Sequence, residues 1–373
     1  GVIFVPHIDL SFDTLQLVSE NGRKEILQIE NQQLNGPQYS SGHIVFGRRP
    51  DNAGVWAVPY SVSEERITGE PFMAVPDAVF PTVSRSGDLV YVPDAPLLMR
   101  IVRVDRQGEI AAGIGDAIEG VDELKLSPDG TRAAFVVQGQ PNEIWIVNLV
   151  SGQRQRLLYD EQRVSTPSWS PDGSKIIYSI GGSGPELHLE VRSIEGGAPE
   201  ILGVRGFHPR YTPDGRYVVL EFWDEHNEPG IGYVDLENVE NGVVPIVDSI
   251  FAEAAPELSP DGRLIAYGSL EPGRREVFLT TFPDGDRTWQ ISTEGGSQPF
   301  WTPAGDEVIF RSASFADKMA VDISTDPVRF GSPRLLFRID SMSWLNPGRD
   351  DEFYGLQRSG GVSQSSYEVW LGW

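Results

Sequence analysis

Charged and polar residues recur at fixed distances before a repeated turn. Lys125, Arg210 and Glu257 each stand two residues before the Ser or Thr that opens the turn, and Glu123 and His208 stand four residues before it. Guanidinium and ammonium groups bind carboxylates, and a histidine beside a carboxylate can transfer protons or ligate a metal. The candidate ligand-binding residues at these positions are Glu123, Lys125, Thr166, His208, Arg210, Glu257, Gln298 and Trp344.

Two interpretations of this set stay open. The opposite charges can satisfy one another as ion pairs between neighbouring repeats, because an unpaired charge on an inner strand is costly. Alternatively, they line a polar mouth that binds a ligand. Arg210 and Glu257 occupy equivalent positions in consecutive repeats and are expected to be neighbours. If a ligand binds there, Arg210 is expected to hold its carboxylate through paired hydrogen bonds.

Familiar catalytic and metal-binding patterns are absent from the sequence. The five histidines are dispersed, no Gly-x-Ser-x-Gly nucleophile pattern occurs, and there is no cysteine. No catalytic residue, metal ligand or cofactor is therefore predicted. A cation such as calcium, held by backbone carbonyls in a channel, stays an open alternative. So does an enzyme, such as a lyase or hydrolase, that acts on a small or saccharide substrate at the channel mouth.

The turn itself is the repeated element. Its full form, Ser/Thr-Pro-Asp-Gly, combines a proline that presets φ with a glycine that accepts positive φ. Its aspartates are therefore interpreted as turn residues rather than as a metal-binding array. The residues that open the turns, including weaker forms, lie near 40, 84, 127, 170, 212, 259, 302 and 346.

A period of about 40 to 50 residues that contains several short strands is typical of a β-propeller blade. We predict an all-β propeller of four-stranded antiparallel blades, in which residues 1–373 form one domain. Eight blades are favoured, and seven are the alternative. The first strand of each blade lines the axial channel, which places the candidate residues around one mouth. Strands from both chain termini are expected to close the ring, because closure removes free sheet edges.

Charge restricts the partners of the chain. Lys and Arg number 30 and Asp and Glu number 54, which gives a formal net charge of −24. Nucleic acid is not expected as a ligand, because binding phosphates needs a basic surface. No run of 18 apolar residues is present, so no membrane insertion is predicted. A protein or small-molecule ligand and a monomeric state are expected.

The repeat resembles a known family. The segment 258–267, Leu-Ser-Pro-Asp-Gly-Arg-Leu-Ile-Ala-Tyr, is similar to the PD40 (WD40-like) repeats of the TolB-like propeller superfamily. Together with segments 271–278, 289–296 and 333–337, it also resembles the propeller region of bacterial eukaryotic-like serine/threonine kinases, although no kinase motif is present here. The resemblance implies a periplasmic or extracellular location. It also implies a non-catalytic role as an interaction scaffold or an extracytoplasmic sensor.

Overall fold

The described part of the chain consists mainly of antiparallel sheets and contains almost no helix. The computed structural model describes residues 2–4, 14–19, 22–29, 33–49, 53–84, 87–93, 98–139, 141–181, 186–223, 229–271, 273–339, 342–349, 351–359 and 368–370. The chain divides into two compact units, of which unit 1 comprises residues 1–96 and 360–373 and unit 2 comprises residues 97–359. The predicted all-β, propeller-type fold with four-stranded antiparallel sheets is confirmed.

Unit 1 contains three sheets in its described part, with strand orders β1-β2-β3, β4-β5-β6-β7 and β36-β10-β9, and β8 also pairs with β6. Two clusters of buried apolar side chains lie within it. Its strands are β1 (Val2–Phe4), β2 (Thr14–Ser19), β3 (Gly22–Gln28), β4 (Gln33–Ser40), β5 (His43–Arg49), β6 (Gly54–Ser61), β7 (Arg66–Ile67), β8 (Phe72–Pro76), β9 (Ala78–Val83), β10 (Leu89–Pro93) and β36 (Glu368–Trp370).

Unit 2 begins with ten strands, which form two complete four-stranded sheets and the two outer strands, β11 and β12, of a sheet that β34 and β35 complete. They are β11 (Leu98–Val104), β12 (Ile110–Glu119), β13 (Val121–Leu126), β14 (Arg132–Val137), β15 (Asn142–Asn148), β16 (Arg154–Asp160), β17 (Val164–Trp169), β18 (Lys175–Ile180), β19 (His188–Ser193) and β20 (Glu200–Ile201).

The rest of unit 2 continues the same scheme, with one short 3-10 helix at Val239–Asn241. Its strands are β21 (Phe207–Tyr211), β22 (Tyr217–Trp223), β23 (Pro229–Asp235), β24 (Val244–Val247), β25 (Glu253–Leu258), β26 (Leu264–Ser269), β27 (Glu276–Thr281), β28 (Thr288–Gln290), β29 (Gly296–Trp301), β30 (Glu307–Ser312), β31 (Asp317–Thr325), β32 (Val328–Phe330), β33 (Arg334–Arg338), β34 (Met342–Pro347) and β35 (Phe353–Arg358).

The six sheets described in unit 2 form a closed ring. Their first strands, β13, β17, β21, β25, β29 and β34, contact one another in that order, and β34 contacts β13. The sixth sheet has the order β12-β11-β35-β34, so strands from the two ends of the unit complete it. Such closure leaves no sheet without a neighbour around the ring.

The ring contains six of the eight repeats. The turns near 40 and 84 lie in unit 1. The six sheets of this ring therefore do not test the predicted count of eight blades. That residues 1–373 form one domain stays a prediction from the repeat.

Hydrophobic packing between sheets holds the ring together. Among the described residues of unit 2 there are six buried apolar clusters, and each combines side chains from two consecutive sheets. Between the first two sheets, for example, Ile144 and Ile146 of β15 pack with Tyr178 and Ile180 of β18. Burying an aliphatic or aromatic side chain contributes about 1.5–3 kcal/mol.

The turn aspartates organise their own turns. In the first full repeat, the Ser127 hydroxyl donates to Asp129 at 2.6 Å and the backbone N–H of Thr131 donates to the same carboxylate at 3.0 Å. These hydrogen bonds hold the pKa of Asp129 at about 2, below its usual value. Ser170 and Asp172 repeat the contact at 2.6 Å. The aspartates therefore act as turn residues, as interpreted from the sequence.

Ring closure predicts the result of a truncation. β35 lies between β11 and β34, so removing residues 350–373 leaves two strands without their hydrogen-bond partners. We expect this variant to aggregate or to lose most of its thermal stability, because exposed strand edges promote association.

The matched control removes only residues 360–373, which retains β35 and the other described strands of unit 2. Both truncations remove β36, the partner of β10, so the difference between them reports on β35. Size-exclusion chromatography and thermal unfolding compare the two truncations. A monomeric 350–373 deletion with the stability of the parent would contradict closure through β35.

Candidate functional site

The first strands of the six sheets in unit 2 share an unusual backbone conformation. One residue in each has φ between +48° and +55°, and we call these six residues the axial ring: Glu123, Thr166, His208, Ala255, Gln298 and Trp344. Left-handed φ at residues other than glycine costs about 1–3 kcal/mol each. These six residues occupy equivalent positions in their strands, which indicates that one structural feature, common to all six sheets, imposes this backbone conformation.

The cause is a β-bulge in each first strand. In β13 the pairing jumps from Asp122 opposite Val136 to Leu124 opposite Phe135, so Glu123 is an extra residue without a partner. In the first strand of each of the other five sheets, the pairing skips two residues against one on the partner strand, which is again one extra residue. A bulge breaks the alternation of side chains between the two faces of a strand. The alternation assumed from the sequence therefore fails at this position.

The last repeat needs a correction of two residues. The sequence places Trp344 two residues before a turn at 346, but Trp344 belongs to the axial ring and Asn346 occupies the position equivalent to Lys125. The N–H of Gly348 hydrogen-bonds across the turn to Glu352, so Gly348 replaces residue 346 as the start of the turn. The weak motif around Pro347 lacks the Asp that marks the register elsewhere.

Glutamate carboxylates accept hydrogen bonds from backbone N–H groups of the axial ring. Glu123 accepts a hydrogen bond from the N–H of Thr166 in the next sheet. Glu221 does the same for Ala255 at 2.5 Å, and its Oε1 lies 2.7 Å from Nδ1 of His208. Burial raises the pKa of Glu123 above its usual value. Burial acts to raise the pKa of Glu221 as well, but His208 and the N–H of Ala255 stabilise its ionised form more strongly. The pKa of Glu221 is therefore lowered.

Glu257 joins two cations near the axis. Its Oε1 lies 2.9 Å from the guanidinium of Arg210 in the preceding sheet, which is the contact expected from the sequence. The same oxygen accepts a hydrogen bond from Nζ of Lys125, which belongs to the sheet three places away around the ring of six. The Lys125–Glu257 contact therefore crosses the axis.

The electrostatics of this triad follow from burial and proximity. Burial opposes the ionised form of Glu257, but Arg210 and Lys125 outweigh it and lower its pKa to about 2. Burial and then Arg210 lower the pKa of Lys125 to about 8, against the opposing effect of Glu257. One carboxylate thus serves two cations.

A cavity of about 490 Å³ opens beside this triad. This volume lies within the range of ordinary ligand pockets. Of the residues predicted from the sequence, the cavity is lined by Lys125, His208, Arg210, Glu257, Gln298 and Trp344. Glu123 and Thr166 are in the axial ring and bond to each other but do not line the cavity. That these eight residues bind a ligand stays a prediction.

Sequence reasoning missed several cavity residues. Arg311 at the end of β30, Lys318 at the start of β31 and Phe315 in the loop between them all line the cavity. Arg275 lines it from the residue before β27. These residues lie outside the first strands, so the repeat pattern does not mark them. The residues of the β30–β31 connection carry no motif that would have revealed their position.

The described residues contain no group of three or more His, Cys, Asp or Glu side chains arranged to hold a metal ion. In the described part of the chain, no helix combines the length and apolar character needed to cross a bilayer. A calcium ion bound by backbone carbonyls stays an untested alternative.

The ring of antiparallel sheets defines a β-propeller protein. Residues 123–305 match the family model for PD40, the TolB beta propeller domain. The predicted resemblance to TolB-like PD40 propellers is thereby confirmed over this segment, which covers slightly less than half of the chain. The narrower likeness to kinase-associated propellers stays a prediction.

Curated relatives match parts of the chain. An uncharacterized peptidase, YuxL of Bacillus subtilis (strain 168), is 32% identical over 117 residues, which are 28% of this chain and 17% of that protein. The Tol-Pal system protein TolB of Francisella tularensis subsp. tularensis (strain WY96-3418) is 27% identical over 191 residues, 48% of this chain and 43% of that protein. The chain thus spans less than half the length of these relatives.

Solved structures share the fold. A structure of the TolB type from Agrobacterium tumefaciens has a TM-score of 0.57 at 17% identity, covering 71% of this chain and 100% of that one. TolB from Acinetobacter baumannii has a TM-score of 0.51 at 16% identity, covering 82% of this chain and 83% of that one. At these identities the likeness shows the fold alone.

The triad predicts a large loss of stability when its carboxylate is removed. Glu257→Gln leaves Lys125 and Arg210 close together without an anion. We expect a loss of about 3–5 kcal/mol in the free energy of unfolding, because breaking a buried pair leaves uncompensated charge. The triple variant Lys125→Met/Arg210→Met/Glu257→Leu should recover most of that loss. Urea denaturation measures both.

The control is Glu237→Gln, which removes an acid whose side chain is 72% exposed and lies 3.9 Å from Arg216. Its effect should stay within about 0.5 kcal/mol. A loss below about 1 kcal/mol in Glu257→Gln would show that the triad behaves as an exposed surface pair instead.

The same triad predicts a pH dependence. The pKa of Glu257 is about 2 in the folded protein against a usual value of 4.5, so the unfolded chain binds the proton more readily. The contribution of Glu257 to stability is present above about pH 4.5 and is lost as the pH falls toward 2. Urea denaturation between pH 5 and pH 3 should show a shallower decline in the triple variant than in the parent. Equal declines would contradict this assignment.

Proposed function

We propose that unit 2 is a non-catalytic binding propeller that holds a protein or small-molecule ligand in the cavity beside the axial ring. The observation that carries this proposal is the 490 Å³ cavity, which brings ionisable side chains and aromatic walls together at the axis of the ring. Convergent polar groups in a well-formed pocket are the usual features of a ligand site.

The contacts within the site favour binding over catalysis. Glu257 is held by two cations, and Glu123 and Glu221 are occupied by backbone N–H groups of the axial ring. A general base needs an available lone pair and a pKa near the working pH. The lowered pKa values of Glu257 and Glu221 leave both carboxylates weak bases at neutral pH.

The biological setting of this role is an interaction scaffold or an extracytoplasmic sensor. The TolB-type relatives support it, because one of them is a Tol-Pal system protein. A periplasmic or extracellular location follows from the same resemblance. The ligand then reaches the cavity from the side on which Phe315 is exposed, with 59% of its surface accessible.

Photo-cross-linking tests the proposed site. A photoreactive phenylalanine analogue at position 315 stands at the rim of the cavity, whereas the same analogue at position 159 stands on the outer strand β16. Tyr159 is 64% exposed, so the two positions are similarly accessible. In extracts of the source organism, adducts should form from position 315 and not from position 159.

Competition makes the test specific. A compound or peptide that raises the melting temperature should also suppress the adducts at 315, because a ligand that binds only the folded state stabilises it. Adducts formed equally from both positions would contradict a binding role for the cavity. Turnover of any member of a panel of saccharides and small esters would contradict the non-catalytic assignment.

A further inference from the structure

The cavity holds more positive charge than its own acids neutralise. Glu257 is shared by Lys125 and Arg210. Arg274, which also lines the cavity, pairs with Glu276 at 2.6 Å. The remaining cations are Arg275, Arg311 and Lys318, and none has a carboxylate within ion-pair distance among the described residues. This surplus stands out in a chain whose net charge is −24.

The guanidinium group of Arg311 is held in one orientation, but one of its N–H donors has no described hydrogen-bond partner. Its Nη1 donates to Oε1 of Gln298 at 2.6 Å, and its guanidinium carbon lies 4.6 Å from the centre of the Phe315 ring. Its Nε is buried and has no hydrogen-bond partner in the described part of the protein. A buried donor left unsatisfied costs free energy that a bound acceptor would recover. Gln298 and Phe315 thus fix the direction of a guanidinium that still has a donor to offer.

Lys318 lies beside Arg311 on the adjacent strand. The two residues are opposite each other in the β30–β31 ladder, and Lys318 is only 2% exposed. Its Nζ has one backbone contact, to the carbonyl oxygen of Phe315 at 3.3 Å. Burial, followed by the charge of Arg311, lowers the pKa of Lys318 to about 8, against the opposing effect of Asp317, which is itself paired with Arg338. Two neighbouring buried cations repel each other, and an anion between them would relieve that repulsion.

Part of the remaining wall of the cavity is apolar. Phe300, Trp344, Leu124 and Leu345 line it together with the aromatic ring of Phe315. A ligand that fits both regions has an anionic head and an apolar or aromatic body. A planar carboxylate matches the fork of an arginine and can accept a second hydrogen bond from an ammonium group.

We propose that Arg311 and Lys318 form a carboxylate-binding site, with Arg275 at its edge, for an organic acid whose aromatic or apolar body packs on Phe300 and Trp344. The acid is either a free small molecule or the C-terminal residue of a peptide, since both present the same group. This inference rests on the proposed binding function of the cavity. It moves the carboxylate site away from Arg210, whose guanidinium is already engaged by Glu257.

Binding of 3-phenylpropanoate to the whole chain, measured by isothermal titration calorimetry, tests the site. The neutral isostere 3-phenylpropanamide should bind at least about tenfold more weakly, because a hydrogen bond to a charged group contributes that much or more. Arg311→Gln and Lys318→Met should each weaken binding of the acid by about tenfold or more. Raising the salt concentration should also weaken it.

Stability distinguishes a ligand site from a structural role. Lys318→Met removes an uncompensated buried charge, so its melting temperature should equal or exceed that of the parent while its affinity falls. A structural lysine would instead lose stability on substitution. The control is Arg263→Gln, which makes the same change in net charge at a residue whose side chain is 60% exposed and does not line the cavity. It should bind the acid as the parent does.

The peptide N-acetyl-Ala-Phe and its C-terminal amide identify the source of the carboxylate. Tighter binding of the free peptide acid than of 3-phenylpropanoate points to a chain end, and the reverse points to a small molecule; both results uphold the site. Equal binding of acid and amide, or unchanged affinity in both cavity variants, overturns it. If acid and amide bind equally and both suppress cross-linking at position 315, the binding function stands and only the carboxylate assignment fails. If neither compound binds and position 315 forms no adducts, both fail.

Discussion

The structure of unit 2 depends on the packing of each sheet against the next around a closed ring. Six apolar clusters between sheets supply the cohesion, and β11 and β35 complete the last sheet from opposite ends of the unit. Closure brings six first strands together at the axis. Each of these strands carries a bulge, and left-handed φ at six non-glycine residues is the conformational cost of the bulges.

The polar chemistry of the axis follows from these bulges. Backbone N–H groups released at Thr166 and Ala255 need acceptors, and buried carboxylates from neighbouring sheets provide them. Buried carboxylates in turn need cations or hydrogen-bond donors. Glu257 meets this need with Lys125 and Arg210, so both cations on this side of the cavity have a carboxylate partner. On the side that contains Arg311 and Lys318, neither cation has a carboxylate within ion-pair distance among the described residues, and the proposed anion site lies there.

The repeat predicted much of the fold because its turns are local. Ser127 and Asp129 form their hydrogen bonds within a few residues, so the motif fixes the strand boundaries and hence the four-stranded sheets. The contact between Arg210 and Glu257 was also predictable, since equivalent positions in consecutive sheets are adjacent. The bulges were not predictable, because the six residues of the axial ring share no chemistry and only the backbone conformation unites them. Arg311 and Lys318 were not predicted for a related reason. Strand pairing, and not the repeated motif, places them opposite each other beside the cavity.

The central claim is that Arg311 and Lys318 remain without an acid because a ligand carboxylate occupies the space between them. The most direct measurement is the pKa of Lys318, followed by the ¹³Cε and ¹⁵Nζ chemical shifts of labelled lysine through a pH titration. Without ligand, burial and Arg311 hold this pKa at about 8. In saturating 3-phenylpropanoate it should rise by one unit or more, which corresponds to at least about 1.4 kcal/mol of added stabilisation of the ammonium form. A pKa that is the same with and without a saturating carboxylate would contradict the claim.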